Sequence, residues 1–481
     1  MARLVDGSHY DAIVIGGGAA GLVSSGFINA LGLKVALVSD GHPGGECLWT
    51  GCVPSKSLIH SAEVAHILKQ NGAEISENAF LQALENMRFA REKIAYHDSV
   101  ETIERSGVSV LTGRAAFLDS HRIKVGSATI SAGKFVIATG GYQAIPKIKG
   151  FDTINCLTHE SILELEEKPK SLAIVGAGPV GVEYAQAMTR LGIKVYLFEY
   201  AARVLPREEP EVSALVQKIL EDEGVEVHTS CSVTSANAES DTTIILHFRK
   251  DDKEGSINTH AVLAATGKTP STRDLNLDKA GVSLTEKGFV KVDEHQRTSA
   301  THIFACGDVC GLFQFTHYAD HCAQVAALGV CFPLFGQFFK SEKLVVPWCT
   351  FLDPEVASVG LRKEEAFSKM GSDSVFELKY SLEDFDRAIV DDNARGFMSV
   401  LVDKKGYILG ATIIGERAGE VIHEFSLAMK NGIPITGLSK TIHVYPTMSA
   451  AVRNLSAQFY KTVAKDSFGL KAARVLAKLM K

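Results

Sequence analysis

One unit occurs twice in this chain of 481 residues, and it restricts the fold more than any other feature. Near the N-terminus the apolar run Asp11 to Ile15 leads into GGGAAG, in which Gly16, Gly18 and Gly21 keep the spacing G-x-G-x-x-G. A helical stretch and a second apolar run, KVALVSD, follow. From Ser171 to Val175 the arrangement returns with GAGPVG (Gly176, Gly178, Gly181) and the run KVYLFEY. Each unit reads as strand, tight turn, helix, strand. The glycines let the backbone turn sharply and approach a pyrophosphate, whose charge then sits at a helix N-terminus. A single copy is weak, since a glycine-rich turn alone produces it. Two copies about 160 residues apart, each framed by strands, point to two dinucleotide sites in an α/β protein.

The ribose-binding acid expected about twenty residues on separates the two sites. In the second unit Glu199 ends the closing strand, where a carboxylate binds a 2′-hydroxyl and repels a 2′-phosphate. That favours NADH over NADPH, although Arg203 nearby weakens the inference. In the first unit Ser39 holds the corresponding position and Asp40 follows it, and either residue can serve the ribose.

Composition narrows the class. With 46% hydrophobic and 22% charged residues the chain is of ordinary globular make-up, and its length suits two to four domains. The net charge of −6 gives no basic field for nucleic acid. No signal peptide is evident at the N-terminus, and no run of eighteen apolar residues occurs, so a soluble cytoplasmic protein is expected. Nine cysteines, an odd number over a long chain, argue against a secreted disulfide scaffold. Cys156, Cys231, Cys322, Cys331 and Cys349 lie in apolar surroundings and read as buried small hydrophobes.

The pair Cys47 and Cys52, inside GGECLWTGCVPSK, is different. Residues five apart on a regular helix are separated by about 7.5 Å along its axis. A disulfide tolerates Cα separations only to about 6.8 Å. The two can bond only where the chain is bent, with Gly51 easing the bend. Pro54 suggests a helix starting just after Cys52, whose dipole would favour a thiolate there. The rival readings are half of a metal site or two unrelated thiols. No second Cys/His pair at zinc spacing accompanies them, so a redox pair is the preferred reading and no metal is expected.

Together these motifs resemble the class I pyridine nucleotide-disulfide oxidoreductases, which include dihydrolipoyl dehydrogenase, glutathione reductase and mercuric reductase. The resemblance runs from Tyr10 to about Tyr460. It rests on GGECLWTGCVPSK, both fingerprints, ATG at Ala138–Gly140 and at Ala265–Gly267, and IFACGD ending at Asp308. FLDPEVASVG (Phe351 to Gly360), FDRA (Phe385 to Ala388) and AGEVIHEFSLAMKNG (Ala418 to Gly432) look like the family's dimerisation domain. The resemblance implies two Rossmann-like domains, for FAD and NAD, and a C-terminal α+β dimerisation domain. Segments 1–150 and 276–345 would bind FAD, 151–275 the nicotinamide coenzyme, and 346–465 the second subunit.

The resemblance also implies roles. FAD would lie along the first fingerprint, with Thr139 and Gly140 near it and Asp308 on its ribityl or ribose-phosphate portion. Gly267 would belong to the coenzyme side. Electrons would pass from nicotinamide through flavin to a Cys47–Cys52 disulfide. Cys52 would form the charge-transfer thiolate and Cys47 would attack the substrate. Lys56 and Glu183 match the family's ion pair beside the flavin ring.

One stretch departs from the pattern. Disulfide-reducing members carry His-Pro-Thr followed by Ser-Glu, in which the histidine is the acid–base for the other subunit's cysteines. Here TIHVYPTMSAAV puts Tyr445 at the histidine position and Ala450 at the glutamate position. A tyrosine is a poor base at neutral pH. His443 either takes over the role or is a packed interface histidine.

The expected activity is that of an FAD-dependent NAD(P)H oxidoreductase acting on a small-molecule or protein-borne disulfide, dithiol or other thiol-reactive substrate. Its active site would be shared across a homodimer. The tyrosine favours the mercuric-reductase-like branch, but that branch's C-terminal cysteine pair is absent. The alternatives are a flavin diaphorase acting directly on quinones or metal ions, and a redox-responsive scaffold. The basic amphipathic tail, 466–481, reads as a helix packed by its apolar stripe, with membrane contact the less favoured reading.

Overall fold

The computed structural model describes residues 5–240, 242–465 and 468–480. They form two compact units. One runs to Gly176 and takes in Ala187–Phe198 and Ser232–Glu342; the other comprises Ala177–Gln186, Glu199–Cys231 and the chain from Lys343 on.

The first unit is built on parallel pairing. Strand β1 (His9–Ile15) lies between β2 (Val35–Ser39) and the strand Ala128–Ile137, both parallel to it. The strand Ile303–Ala305 adds to Ala128–Ile137, also in parallel. Every residue of β2 is buried, as expected of a parallel strand covered on both faces. Ile13, Ile15, Phe117, Phe135, Ile137 and Ile303 make the core beneath. Helix α1 (Ala19–Ala30) returns the chain from β1 to β2. A second parallel set places Ser171–Val175 between Lys194–Phe198 and Ala261–Ala264, with Cys156–Leu157 beyond.

Each fingerprint is locked to one ATG motif. Gly16 has φ +115°, and a Cβ there would stand 2.2 Å from the Ala138 carbonyl oxygen. Gly176 has φ +107°, and a Cβ there would stand 2.5 Å from the Ala265 carbonyl oxygen. Only glycine takes that conformation at that distance without strain. The chain leaves the two ATG motifs through Gly141–Gln143 and Lys268–Pro270, which pair antiparallel as a short ribbon.

The second unit carries an antiparallel sheet in the order Trp348–Thr350, Glu355–Gly360, Ile408–Gly415, Phe397–Asp403, Val375–Ser381. Helices Ala418–Lys430 and Ala450–Thr462 cover it, and Met398, Val400, Ile413, Phe425, Leu455 and Phe459 fill the space between.

Two expectations need correction. Cys231 and Cys322 are buried, but Cys156, Cys331 and Cys349 are half-buried, because they sit on two- and three-residue strands and at a helix end. The tail forms a helix, Phe468–Leu479, and among its described side chains Val475, Leu476, Leu479 and Met480 are exposed rather than packed. The apolar cluster of this unit closes with the helix Ala450–Thr462 and the residues directly after it. Asp466, Ser467 and Lys481 of the tail lie outside the described residues. No helix among the described residues is long and apolar enough to cross a membrane.

Candidate active site

The two cysteines stand on two helices with a break between them. Cys47 lies in α2 (Gly45–Trp49), and Cys52 is the first residue of α3 (Cys52–Gln70), one position earlier than the proline alone suggests. Thr50 and Gly51 leave helical geometry, and the Gly51 amide donates back to the Glu46 carbonyl. A Cβ at Gly51 would meet that carbonyl oxygen at 2.9 Å, so the bend requires glycine. Both cysteines are free thiols; Cys47 is half-buried and Cys52 exposed.

Their surroundings separate them chemically. No side chain caps α3 and no acid stands in its first turn, so the positive end of the helix lies at Cys52. The Cys52 thiol is lowered to about 6, first by the hydrogen bond that Cys47 donates to it. Burial opposes this, while the Thr316 hydroxyl, Lys56 and Lys268 add to it. The Thr316 Oγ1 is 3.2 Å from the Cys52 Sγ. Cys47 moves the other way, because it donates to Cys52 and because it is buried. Lys56 lies one turn beyond Cys52 on α3. Glu183 belongs to the second unit, where it is buried and its Oε1 accepts the Phe351 amide at 2.8 Å.

The first fingerprint forms a cradle that fits a dinucleotide. Gly18 caps α1 without a side chain, no acid stands in the first turn, and Gly21 leaves no room for a Cβ against the Gly16 carbonyl. An uncapped, acid-free helix end suits a pyrophosphate. Ser39 is buried and donates its hydroxyl to the Gly41 carbonyl at 3.0 Å, whereas Asp40 is exposed and pairs with Arg114 at 3.2 Å. Thr139 donates to the Ser271 carbonyl at 2.8 Å, and the Gly140 carbonyl accepts the Ser271 amide. The Gly267 carbonyl accepts the Ala144 amide.

In the second fingerprint Gly178 accepts at the start of the helix Pro179–Arg190, which contains Gly181. Glu199 accepts the Ala177 amide at 2.6 Å and the Ala201 amide at 2.8 Å. Arg203 Nη2 donates to the Pro206 and Glu208 carbonyls.

Some site residues carry no motif of their own. Lys268 Nζ lies 2.7 Å from Glu46 Oε1 and 2.9 Å from Asp308 Oδ2, and His159 Nε2 lies 3.1 Å from the same Glu46 oxygen. Asp308 thus meets a lysine as well as any flavin it would hold. Adjacency was the signal available: Glu46 precedes Cys47, Lys268 follows the second ATG, and Thr316 stands within FQFTHYA.

At the C-terminal loop the Tyr445 hydroxyl donates to Asp386 Oδ2 at 2.8 Å, which pushes the phenol above its usual range. His443 turns elsewhere. Its Nε2 is 3.0 Å from Glu424 Oε2 and its Nδ1 is 3.0 Å from the Thr441 carbonyl. Asp386 lies in FDRA and Glu424 in AGEVIHEFS.

A thiol pair at a helix N-terminus, a dinucleotide cradle whose Gly18 adjoins Gly45 of the thiol-bearing helix, and a second fingerprint define a flavin- and nicotinamide-dependent oxidoreductase. The pyridine nucleotide-disulphide oxidoreductase family matches residues 10–323, and that family's dimerisation domain matches residues 346–456; the chain belongs to this family. It is 32% identical to a mercuric reductase of Bacillus cereus, across 95% of this chain and 73% of that protein. It is 29% identical to a dihydrolipoyl dehydrogenase of Mycobacterium tuberculosis, across 93% and 97%. Among solved structures it resembles the Cu(II) complex of the HOCl-induced flavoprotein disulfide reductase RclA from Escherichia coli. That likeness has a TM-score of 0.81 at 28% identity and covers 92% of this chain and 98% of that one. The chain is an FAD-dependent enzyme using a pyridine nucleotide and acting on sulfur groups.

Proposed function

We propose that the chain is an NADH-dependent flavoprotein reductase that works through Cys47 and Cys52 on a thiol-reactive substrate, a thiophilic metal ion before a lipoyl dithiol. The observation that carries this is the Cys47–Cys52 turn, in which Cys52 opens α3 with the Thr316 hydroxyl 3.2 Å from its sulfur, surroundings that lower its thiol while that of Cys47 is raised. Segments 1–150 and 276–345 would hold FAD and 151–275 the coenzyme. When bound, the flavin supplies two electrons taken from the nicotinamide. Gly16, Gly18 and Gly21 would seat its pyrophosphate, and Asp308 its ribityl or ribose-phosphate portion. Cys52 holds the thiolate against Thr316, and Cys47 is the sulfur offered to substrate.

Three features support the finer reading. Glu199 ends its strand with a carboxylate that would repel a 2′-phosphate, and the nearby Arg203 turns its Nη2 to two backbone carbonyls. Tyr445 donates its proton to Asp386, and His443 is held between the Glu424 carboxylate and the Thr441 carbonyl with its side chain 6% exposed, so neither stands open to a substrate as a base. Thiol–disulfide interchange needs a proton taken up or released at sulfur. A thiophilic ion can bind first to the Cys52 thiolate and itself acidify Cys47, whose proton then passes to water rather than to a protein base. The names of the relatives fit both chemistries.

His443 then serves to hold its loop, on which Ile442 and Val444 are exposed at 96% and 76%. A loop of that character suits the surface where a second subunit of a homodimer would pack. A cytoplasmic setting would keep the thiols reduced between turnovers.

The test is an anaerobic titration of the FAD-loaded protein with NADH and with NADPH, followed by turnover with mercuric ion, cupric ion and lipoamide. A long-wavelength thiolate-to-flavin band at two electrons, absent in Cys52→Ser, together with faster turnover of a metal ion than of lipoamide, is expected. Bleaching without the band would remove the thiols from the path and leave a flavin diaphorase.

A further inference from the structure

Lys268 ties three segments distant in sequence to one point. It opens the strand Lys268–Pro270, half of the ribbon that joins the two ATG motifs. Glu46 sits on α2 directly before Cys47, and Asp308 sits just beyond the strand Ile303–Ala305. Lys268 Nζ reaches both carboxylates, at 2.7 and 2.9 Å, and all three side chains are largely withdrawn from solvent. Behind Glu46 stands His159, whose side chain is 7% exposed and whose Nδ1 lies 3.3 Å from Gln143 Oε1 on the other strand of the ribbon.

We propose that Lys268 is a positioning residue for the thiol pair: by bridging Glu46 and Asp308 it fixes the helix that carries Cys47 and holds its own positive charge where Cys52 benefits from it. This rests on the reading of Cys47 and Cys52 as the redox pair.

The physical case is one of balance. Two carboxylates sharing a poorly hydrated space repel each other, and a cation between them removes that repulsion. Burial works against the ammonium, yet Asp308 and Glu46 together keep it firmly charged. Glu46 stays ionised for the same reason: burial raises it, but the His159 hydrogen bond and Lys268 outweigh burial. The groups acting on Cys52 are Cys47 from α2, Thr316, Lys56 on its own helix and Lys268 from the ribbon. Lys268 is held from two sides, by Glu46 and by Asp308. Its field at the thiolate is therefore fixed by the fold, and it transmits the position of the ribbon to the thiols.

The experiment measures the pH dependence of iodoacetamide alkylation, with the modified cysteine located by peptide mass spectrometry and Cys52→Ser as the assignment control. It uses the full-length FAD-loaded protein and the variants Lys268→Met, Lys268→Arg and Glu46→Gln/Lys268→Met. The double variant removes a carboxylate together with the cation, so a folded protein without Lys268 can be measured even where Lys268→Met is unstable. Cys52 in the parent should titrate near pH 6. Without Lys268 its midpoint should rise by roughly half a unit to one unit, slowing alkylation at pH 6 roughly two- to fivefold, and Lys268→Arg should restore it. A role confined to stability would lower the melting temperature and leave the midpoint in place. An unshifted midpoint in the variants lacking Lys268, with the parent still near 6, overturns this inference alone. A parent midpoint near that of an ordinary thiol overturns the proposed function instead.

Discussion

The Thr316 hydroxyl stands 3.2 Å from the Cys52 sulfur although 264 residues separate them. Thr316 is the first residue of the helix Thr316–Cys331, and Cys52 is the first residue of α3, so two helix N-termini come together at the reactive sulfur. Both ends favour negative charge. The hydroxyl adds a donor that strengthens when the sulfur is ionised.

Replacing Thr316 with valine keeps the shape and removes the donor. A hydrogen bond to a charged group contributes about 1.5–3 kcal/mol, and about 1.4 kcal/mol corresponds to one pH unit. The Cys52 alkylation midpoint in Thr316→Val should therefore rise by about one unit. The sign follows from the lowered thiol: the thiolate's contribution to stability is complete above the ordinary thiol range and is lost as pH falls through about 6. An unchanged midpoint in the variant would remove Thr316 from the site.

Gly16→Ala tests the cradle. The new methyl would meet the Ala138 carbonyl, and the positive φ adds about 1–2 kcal/mol of strain. The variant should purify with little or no FAD and melt at a lower temperature. Full flavin content at parental stability would contradict the close packing of fingerprint and ATG.

The proposed coenzyme preference is tested at Glu199. Glu199→Ala leaves the amides of Ala177 and Ala201 without their acceptor and removes the repulsion of a 2′-phosphate. The ratio of kcat/KM for NADH to that for NADPH should fall by about tenfold or more. A ratio that stays put would place coenzyme discrimination elsewhere.

His443→Gln separates loop-holding from acid–base work. Breaking the contact with Glu424 should lower stability by about 1–3 kcal/mol and weaken the dimer in sedimentation, while both limbs of the pH–rate profile stay where they are. Loss of one limb with the dimer intact would make His443 the acid–base instead.

Much of this was legible in the chain because it depends on neighbours in sequence. Gly16 and Gly176 belong to short strand–turn–helix units whose spacing shows without any tertiary contact. The cysteine turn was equally readable, down to the need for a bend at Gly51. The partners of these residues were not. Lys268 and Glu46 are 222 residues apart, and no local period relates them. The tail failed for a related reason: its helical stripe is plain in the sequence, but whether a stripe is covered depends on what surface remains after the core has closed.

The sequence by itself determined two dinucleotide units, a thiol pair at a helix start and an altered C-terminal loop, since turn geometry and helix periodicity are local properties. Only the tertiary structure decided that Thr316 meets Cys52, that Arg203 Nη2 turns to two backbone carbonyls, that Tyr445 donates to Asp386, and that one lysine joins Glu46 to Asp308. Charge and hydrogen bonding act over a few ångströms through space, and only folding brings such residues within that range.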